Sequence, residues 1–484
     1  MPESSGLLYF LVIDQGTSST KCFLFDENND VVFSNRIKHQ LSRLASHHVE
    51  CDANLIAESC VDLIEQCVDF ASQKSKKIHS VGIAIQRSTF LFWDKITATP
   101  LTSALSWQDS RAGQVVEELS DRNQFIHKIS GVPLSAHFGG PKYQHLINND
   151  SVLKSLVEKG VVWFGPLSAF IVQKLTGNPV VDHTVAGRTQ LMNIAELTWD
   201  DALCILFNVK QSTLPSIVPT MGLFGQIKPW GLPLNCVIGD QQSALIGQGG
   251  IAAGSLAMNF GTSASVLLHS GNTPNHNDGL LNNVLFSNGS EIHYLIEGSI
   301  NTCNSLFYWL ENELRIPHNE MQWDKRCAKT RVDGVLIPGF AGLAAPYWKS
   351  SFDSVYYNLE NANDDDIIRA GMEFIGFLVH DIMATMPLPK PVDLIPASGG
   401  GARPPLLQFI ADLTGIAIGH TIMKDRTAFG VYSLLKKYTG NPFTQSLPEY
   451  DMVINPKMDS VARQKKLDSW QVALKNIGLA QKRV

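Results

Sequence analysis

Asp14-Gln15-Gly16-Thr17-Ser18-Ser19-Thr20-Lys21 sets an acid, a glycine, a run of hydroxyls and a lysine side by side. A glycine lets the main chain approach a ligand closely, and successive backbone N–H groups in such a turn form a nest for an anion. Thr17, Ser18 and Ser19 add hydroxyl donors, and Lys21 adds positive charge. Asp14 is out of place beside an anion unless a divalent metal comes with it, as Mg²⁺ does with nucleotide phosphates. The octapeptide points to ATP and Mg²⁺, with an ordinary polar hairpin turn as the alternative.

A second copy weighs against that alternative. Met258-Asn259-Phe260-Gly261-Thr262-Ser263-Ala264-Ser265 runs straight into Val266-Leu267-Leu268, and its glycine lies 261 − 16 = 245 positions after the first, about half of the 484 residues. One phosphate-gripping turn per half suits a nucleotide clamped between two similar domains. A third element, Ser398-Gly399-Gly400-Gly401-Ala402-Arg403, stands between an apolar run and Leu406–Leu413 and permits close backbone contact with a flat or anionic ligand. Asp240 follows the short apolar run Cys236–Gly239, so its carboxylate is expected at a strand end, where open α/β sheets bind their ligands. There it could accept or orient a hydroxyl proton in phosphoryl transfer, or simply cap the helix that Ser243-Ala244-Leu245 could start. Gly247-Gln248-Gly249 has no acid at dinucleotide spacing, and no G-x-x-x-x-G-K-[ST], H-R-D or D-F-G motif occurs.

The elements that must hold these residues follow from the pattern. Leu7–Ile13 and Cys22–Phe25 read as strands around the first turn, Glu27-Asn28-Asn29-Asp30 as a second turn, and Val31–Phe33 as a third strand. Asp52 can cap a helix with Ile56, Cys60, Leu63, Cys67 and Phe70 on one face. Ser80–Gln86 reads as a strand, Leu214–Leu234 as Pro/Gly-rich loop, Gly247–Gly254 as the crossing between halves, and Asp459–Ile477 as a closing helix. Strands and helices in a duplicated order argue for an α/β protein.

Bulk composition narrows the class. Apolar residues make up 44% and charged residues 17%, a globular balance, and 484 residues imply two to three domains. The net charge of −6 carries no basic stripe for nucleic acid. The eight cysteines form no C-x-x-C pair or zinc pattern, which fits free thiols in a reducing cytoplasm. Met1–Gly6 lacks the basic segment of a secretory signal, and no run approaches a membrane span.

Asp14-Gln15-Gly16-Thr17-Ser18-Ser19, Gln86-Arg87, Trp107-Gln108-Asp109-Ser110-Arg111, Gly239-Asp240-Gln241-Gln242, Gly261-Thr262-Ser263, Gly342–Trp348 and the 399–402 glycine loop together resemble the FGGY carbohydrate kinases, in that family's order. The resemblance covers about residues 7–440. It implies an α/β fold of two actin-like (ribonuclease H-like) domains, with ATP, Mg²⁺ and a sugar or polyol in the cleft between them. The expected division is 1–246, 247–450 and a helical extension 451–484. Asp240 falls on the family's catalytic base, with Asp14 and Asp240 on the metal side. Thr17, Ser18, Ser19, Lys21, Gly261 and Thr262 fall on the phosphate side, and Gly399, Gly400, Gly401 and Ala402 on the adenosine side. Arg87, Ser88, Trp107, His137, Asp240 and Gln241 fall on the acceptor side.

The departures bear on the acceptor. Where glycerol kinases have Arg-Glu this chain has Arg87-Ser88, their pocket tyrosine aligns with His137, and a phenylalanine aligns with Ser265. A site that loses hydrogen-bond partners for a given substrate discriminates against it. A ketose or polyol larger than glycerol is therefore expected, with glycerol as the alternative. Lys142 is kept while His145 replaces the family's tryptophan, Tyr357-Asn358-Leu359 replaces Gly-Leu-Thr, and Val431 and Tyr432 stand where alanines are usual. These changes either reshape the adenosine side or mark a catalytically weak sugar- or nucleotide-binding relative. An actin- or chaperone-type ATPase would need a partner-binding domain for which the chain has no spare length. No nucleic-acid or membrane partner is expected, and a homodimer is compatible with this reading.

Overall fold

Leu8–Gln15 forms the first strand (β1), and Phe10, Leu11, Val12 and Ile13 within it are all fully buried. A strand with six consecutive apolar residues, Leu8–Ile13, needs cover on both faces, and the rest of the fold supplies it. The computed structural model describes residues 8–45, 47–389, 391–421, 425–440 and 449–479; Met1–Gly6 and Leu7 lie outside them. β1 turns into Ser19–Phe25 (β2) and Val31–Lys38 (β3), an antiparallel meander. The first turn closes where Gly16 N–H donates to the Ser19 carbonyl at 3.0 Å. Asp52 caps Ala53–Gln73 (α1), its side chain accepting from the N–H groups of Asn54 and Leu55. Lys77–Ile85 (β4) returns parallel to β1.

Met221–Ile227 (β5) and Leu232–Gly239 (β6) complete a six-stranded sheet of order β5-β6-β4-β1-β2-β3. The stretch 214–234, expected as loop, thus contains an edge strand. Its glycines and a register break between Met221 and Gly225 interrupt the pattern that would have marked it. β6 runs directly into Asp240–Gly247 (α2).

The second half repeats the plan. Leu256–Phe260 (β7) and Ala264–Gly271 (β8) form the second hairpin, followed by Leu281–Ser287 (β9), Ile292–Ile300 (β10), Asn304–Glu313 (α3) and Asp364–Thr385 (α4). Leu394–Ser398 (β11), Pro404–Thr414 (α5), Ala417–His420 (β12), Arg426–Tyr438 (α6), Met452–Ile454 (β13) and Ser460–Lys475 (α7) complete it. The sheet order is β9-β10-β8-β7-β11-β12-β13. Without β9, the row β10-β8-β7-β11-β12-β13 matches β3-β2-β1-β4-β6-β5, with parallel pairs at the same two places.

The two sheets face each other across a shared helical layer. Tyr9, Leu11 and Ile13 point to α1, while Phe10 and Val12 join Leu245 of α2 and Tyr432 and Leu435 of α6. Ala257 and Leu267 of the second sheet close that layer from the far side. Met258, Val266 and Ile296 point outward to α4 and α5. Val431 and Tyr432 therefore pack inward rather than line the adenosine side. Tyr432 stacks on Phe25 with ring centroids 4.6 Å apart, and its hydroxyl donates to the Asp26 carbonyl at 2.8 Å. Helices α2 and α6 cross closely at Gly247 and Gly430. A Cβ on Gly430 would lie 1.9 Å from the Ser243 carbonyl oxygen. Helix α7 buries Trp470 and Leu474 against the second half, with Leu467 and, just past the helix end, Ile477 at the rim.

Candidate active site

β4 ends at Ile85, and the next three residues, Gln86, Arg87 and Ser88, line a cleft of about 330 Å³ between the halves. Ser88 is a non-glycine residue in the left-handed region, φ +61, the kind of strain that tertiary contacts must hold in place. Its carbonyl accepts from the Lys142 ammonium at 3.0 Å; Nζ also donates to the Ser106 carbonyl at 2.7 Å and the Leu105 carbonyl at 3.5 Å. One fully buried lysine thus ties the 88 turn to the 105–107 turn. Burial pushes its pKa down to about 7.

Trp107 stands on the second of those turns. Its indole N–H donates to Thr17 Oγ1 at 2.9 Å, and its carbonyl pairs with His137 Nδ1 at 2.9 Å. A carbonyl can only accept, so His137 carries its proton on Nδ1 and keeps Nε2 as an acceptor. Burial, helped by the charge of Lys142, lowers its pKa to about 4, which leaves the ring neutral.

Asp240 is the first residue of α2, and Gly239 takes the cap position. The helix-cap reading of Asp240 is thereby set aside. Gly239 N–H donates to Thr184 Oγ1 at 2.9 Å, and the Thr184 hydroxyl donates to buried Asp182 at 2.6 Å, which fixes the strand end. The Asp240 carboxylate accepts from Gln241 N–H at 2.8 Å and lies 3.3 Å from Arg87 Nε. Enclosure in the cleft floor raises its pKa, and Arg87 opposes that shift. Gln241 Oε1 accepts from Asn259 Nδ2 at 3.3 Å, joining the neighbour of Asp240 to β7.

Asp14, two residues before Gly16 of the first turn, pairs with Lys21 at 3.6 Å, and Lys21 reaches Asp425 at 3.4 Å. Burial raises the Asp14 pKa to about 6; Lys21 lowers it, and the carboxylates of Asp240 and Asp425 raise it. Carboxylates that repel one another beside phosphate-type turns are hard oxygen donors suited to Mg²⁺, which usually takes one or two carboxylates together with substrate phosphates. The donor chemistry of Asp14 and Asp240 fits that ion.

The second turn mirrors the first: Gly261 N–H donates to the Ser263 carbonyl at 2.8 Å, and the N–H groups of Cys303 and Asn304, where α3 begins, donate to the Thr262 and Gly261 carbonyls. Gly401 N–H donates to the Phe260 carbonyl at 2.8 Å, which sets the glycine loop against this turn. Gly399 has φ +100, and a Cβ there would meet the Phe260 oxygen at 2.3 Å. That position requires glycine.

One cleft therefore gathers Thr17, Arg87, Ser88, Trp107, His137, Asp240, Gln241, Gly261, Thr262 and Ser265. Asp14, Ser18, Ser19, Lys21 and the 399–402 loop are not on its wall and stand beside it. Three residues here have no signal in the sequence motifs, Arg188, Glu297 and Asp425, and Gln86 entered only as part of the Gln86-Arg87 motif, without a role. Gln86 is buried, lines the cleft, and neither its Oε1 nor its Nε2 has a hydrogen-bond partner among the described residues. A buried amide with both ends unpaired costs stability unless a ligand completes it. Its place directly before Arg87 was the signal in the sequence.

Comparison with known proteins agrees with this geometry. Residues 9–247 match the N-terminal domain of the FGGY family of carbohydrate kinases, and residues 256–434 match the C-terminal domain. The chain belongs to the FGGY family of carbohydrate kinases. It is 29% identical to glycerol kinase 2 of Thermotoga maritima over 96% of this chain and 98% of that protein. It is 32% identical to a glycerol kinase of Beijerinckia indica over 87% and 88% of the two chains. The crystal structure of Plasmodium falciparum glycerol kinase with ADP superposes with a TM-score of 0.87 at 29% identity, covering 97% of this chain and 98% of that one. A xylulose kinase of Lactobacillus acidophilus, at 21% identity and a TM-score of 0.83 over 98% and 97% of the chains, shares the fold. As an FGGY kinase the chain is a phosphotransferase with two actin-like domains. No helix among the described residues is long and apolar enough to cross a membrane.

Proposed function

We propose that this FGGY kinase transfers the γ-phosphoryl group of ATP to a hydroxyl of a ketose or polyol longer than glycerol. The observation that carries this is the common location of Ser88, His137 and Ser265: all three departures from the glycerol-kinase pattern line the cleft that holds Asp240. They leave a wall of two small hydroxyls and a neutral imidazole acceptor. Gln86 adds an amide with both ends free to bind hydroxyls.

The acceptor hydroxyl is oriented by Asp240, which takes its proton as the new O–P bond forms and the bond from the γ-phosphorus to the bridging oxygen breaks. Thr17 and Thr262, one per half, present hydroxyls and turn N–H groups to the phosphates, and Lys21 adds charge. Mg²⁺, when bound by Asp14 and Asp240, supplies positive charge against the phosphate oxygens. Gly399–Ala402 brings backbone close to the adenosine side. Residues 1–246 carry the acceptor side, 247–450 the adenosine side, and 451–484 a helical addition. The eight cysteines are all free and buried, which suits work in a reducing cytoplasm.

Glycerol is the second reading, favoured by relatives named glycerol kinase at 29% and 32% identity. A coupled ADP assay over three- to seven-carbon polyols and ketoses separates the two. The highest kcat/KM is expected on an acceptor of four or more carbons; glycerol as the best acceptor would refute the pocket argument while leaving phosphoryl transfer in place.

A further inference from the structure

Glu297 stands on β10, in the second half, yet its carboxylate lies against Arg87 and Arg188 of the first. It is the only acid in that strand and is 2% exposed. Oε1 accepts from Arg87 Nη2 at 3.0 Å and from the Ser299 hydroxyl at 3.1 Å. Oε2 accepts from Arg87 Nη1 at 2.7 Å and from Arg188 Nη2. An ionised carboxylate offers about four lone-pair sites, and these four donors fill them. Glu297 has none left for a substrate hydroxyl, so its work is done on Arg87.

Arg87 is the residue it shapes. Nη1 also donates to Gln242 Oε1 at 3.2 Å, and Nε faces Asp240 Oδ1 at 3.3 Å. Of the five guanidinium N–H groups, one on Nη2 stays uncommitted. Without Glu297 the Nη pair would turn to the nearest remaining carboxylate, Asp240, and a fork-to-fork pair would engage both of its oxygens.

We propose that Glu297 is a positioning residue: from the opposite half of the cleft it holds the Arg87 fork, so that only Nε rests on Asp240 and one carboxylate oxygen stays open to the acceptor. This rests on Asp240 acting as the base in the transfer reaction. The arrangement of the base then depends on how the two halves meet. The charged groups facing Asp240 are Arg87 after β4, Arg188 after the helical turn 183–186, Glu297 on β10 and Asp14 on β1. Burial would raise the Glu297 pKa, but Arg188 and Arg87 override it and hold it at about 2, so Glu297 is ionised throughout the working range.

Glu297→Gln keeps the shape and removes the charge. The expected result is kcat lower by about tenfold or more near neutral pH, since general-base catalysis contributes roughly 10²–10⁴, with KM for ATP within about twofold. Glu297→Asp, which keeps the charge, should recover part of that loss. Combined with R87K, which leaves no fork to misdirect, E297Q should cost less than about twofold, because its effect acts through the Arg87 fork. If E297Q does not fold, the same cycle is read with E297D. A loss equally large with and without R87K, or a fall in melting temperature with kcat unchanged, would overturn the proposal. D240N separates this from the underlying reading: full transfer by that variant would overturn the base assignment whatever Glu297 does.

Discussion

The indole N–H of Trp107 donates to Thr17 Oγ1 at 2.9 Å, joining the 105–107 turn to the first Gly-Thr-Ser turn. The same tryptophan holds His137 through its carbonyl at 2.9 Å. Thr17, Trp107 and His137 are thus linked in one chain of hydrogen bonds, and under the proposed function a change at Trp107 should be felt on both sides of the reacting bond.

Trp107→Phe removes the bond to Thr17 while keeping an aromatic ring. A hydrogen bond of this kind contributes about 0.5–1.5 kcal/mol, so kcat/KM for the acceptor should fall about 2- to 12-fold. Steady-state kinetics with each substrate varied in turn checks this. An effect on ATP binding larger than that on the acceptor would contradict the placement of Trp107.

Lys142 gives a stability prediction with a definite sign. Its folded pKa is about 7 against an ordinary 10.5, so between those values the unfolded chain holds one more proton than the native protein. Stability then rises with pH across that window, by at most about 1.4 kcal/mol per unit, and below about pH 7 the full cost of the buried charge is present. Lys142→Met lacks this dependence. The wild-type melting temperature relative to K142M should climb from pH 7.5 to 9.5; a constant difference would mean that Lys142 keeps its proton.

Gly430→Ala tests the joint between the halves. In a helix interior alanine is normally favoured over glycine by roughly 0.5–1 kcal/mol, but here its Cβ would press on the Ser243 carbonyl. Overpacking of a tight contact typically costs about 1–3 kcal/mol, so the clash should win. We expect a lower melting temperature together with weaker coupling between acceptor and ATP binding, measured by calorimetry in the presence of each partner. A stabilised variant would show that α2 and α6 separate freely.

What was legible beforehand followed local rules. Both Gly-Thr-Ser turns, the Asp52 cap and Asp240 at a strand end depend on neighbours within a few residues, and spacing alone exposes them. Glu297 was hidden because its partners, Arg87 and Arg188, lie 210 and 109 positions away. A single acid in the apolar run Tyr294–Ile300 was its only trace. Val431 and Tyr432 suggested a changed nucleotide side, yet they fill space against Gly82 and Phe25, which only the layered packing of the two sheets reveals. Strand β5 escaped notice because an edge strand tolerates the glycines that usually mark loops.

The proposed phosphoryl transfer to a small hydroxyl compound turns on Asp240 as its base. Its most direct test is the single-turnover rate of Asp240→Asn, relative to wild type, with saturating Mg²⁺–ATP and the best acceptor of the panel. The expected loss is about 10²–10⁴, with the melting temperature preserved. A folded D240N enzyme that keeps more than about a tenth of the wild-type rate would contradict it.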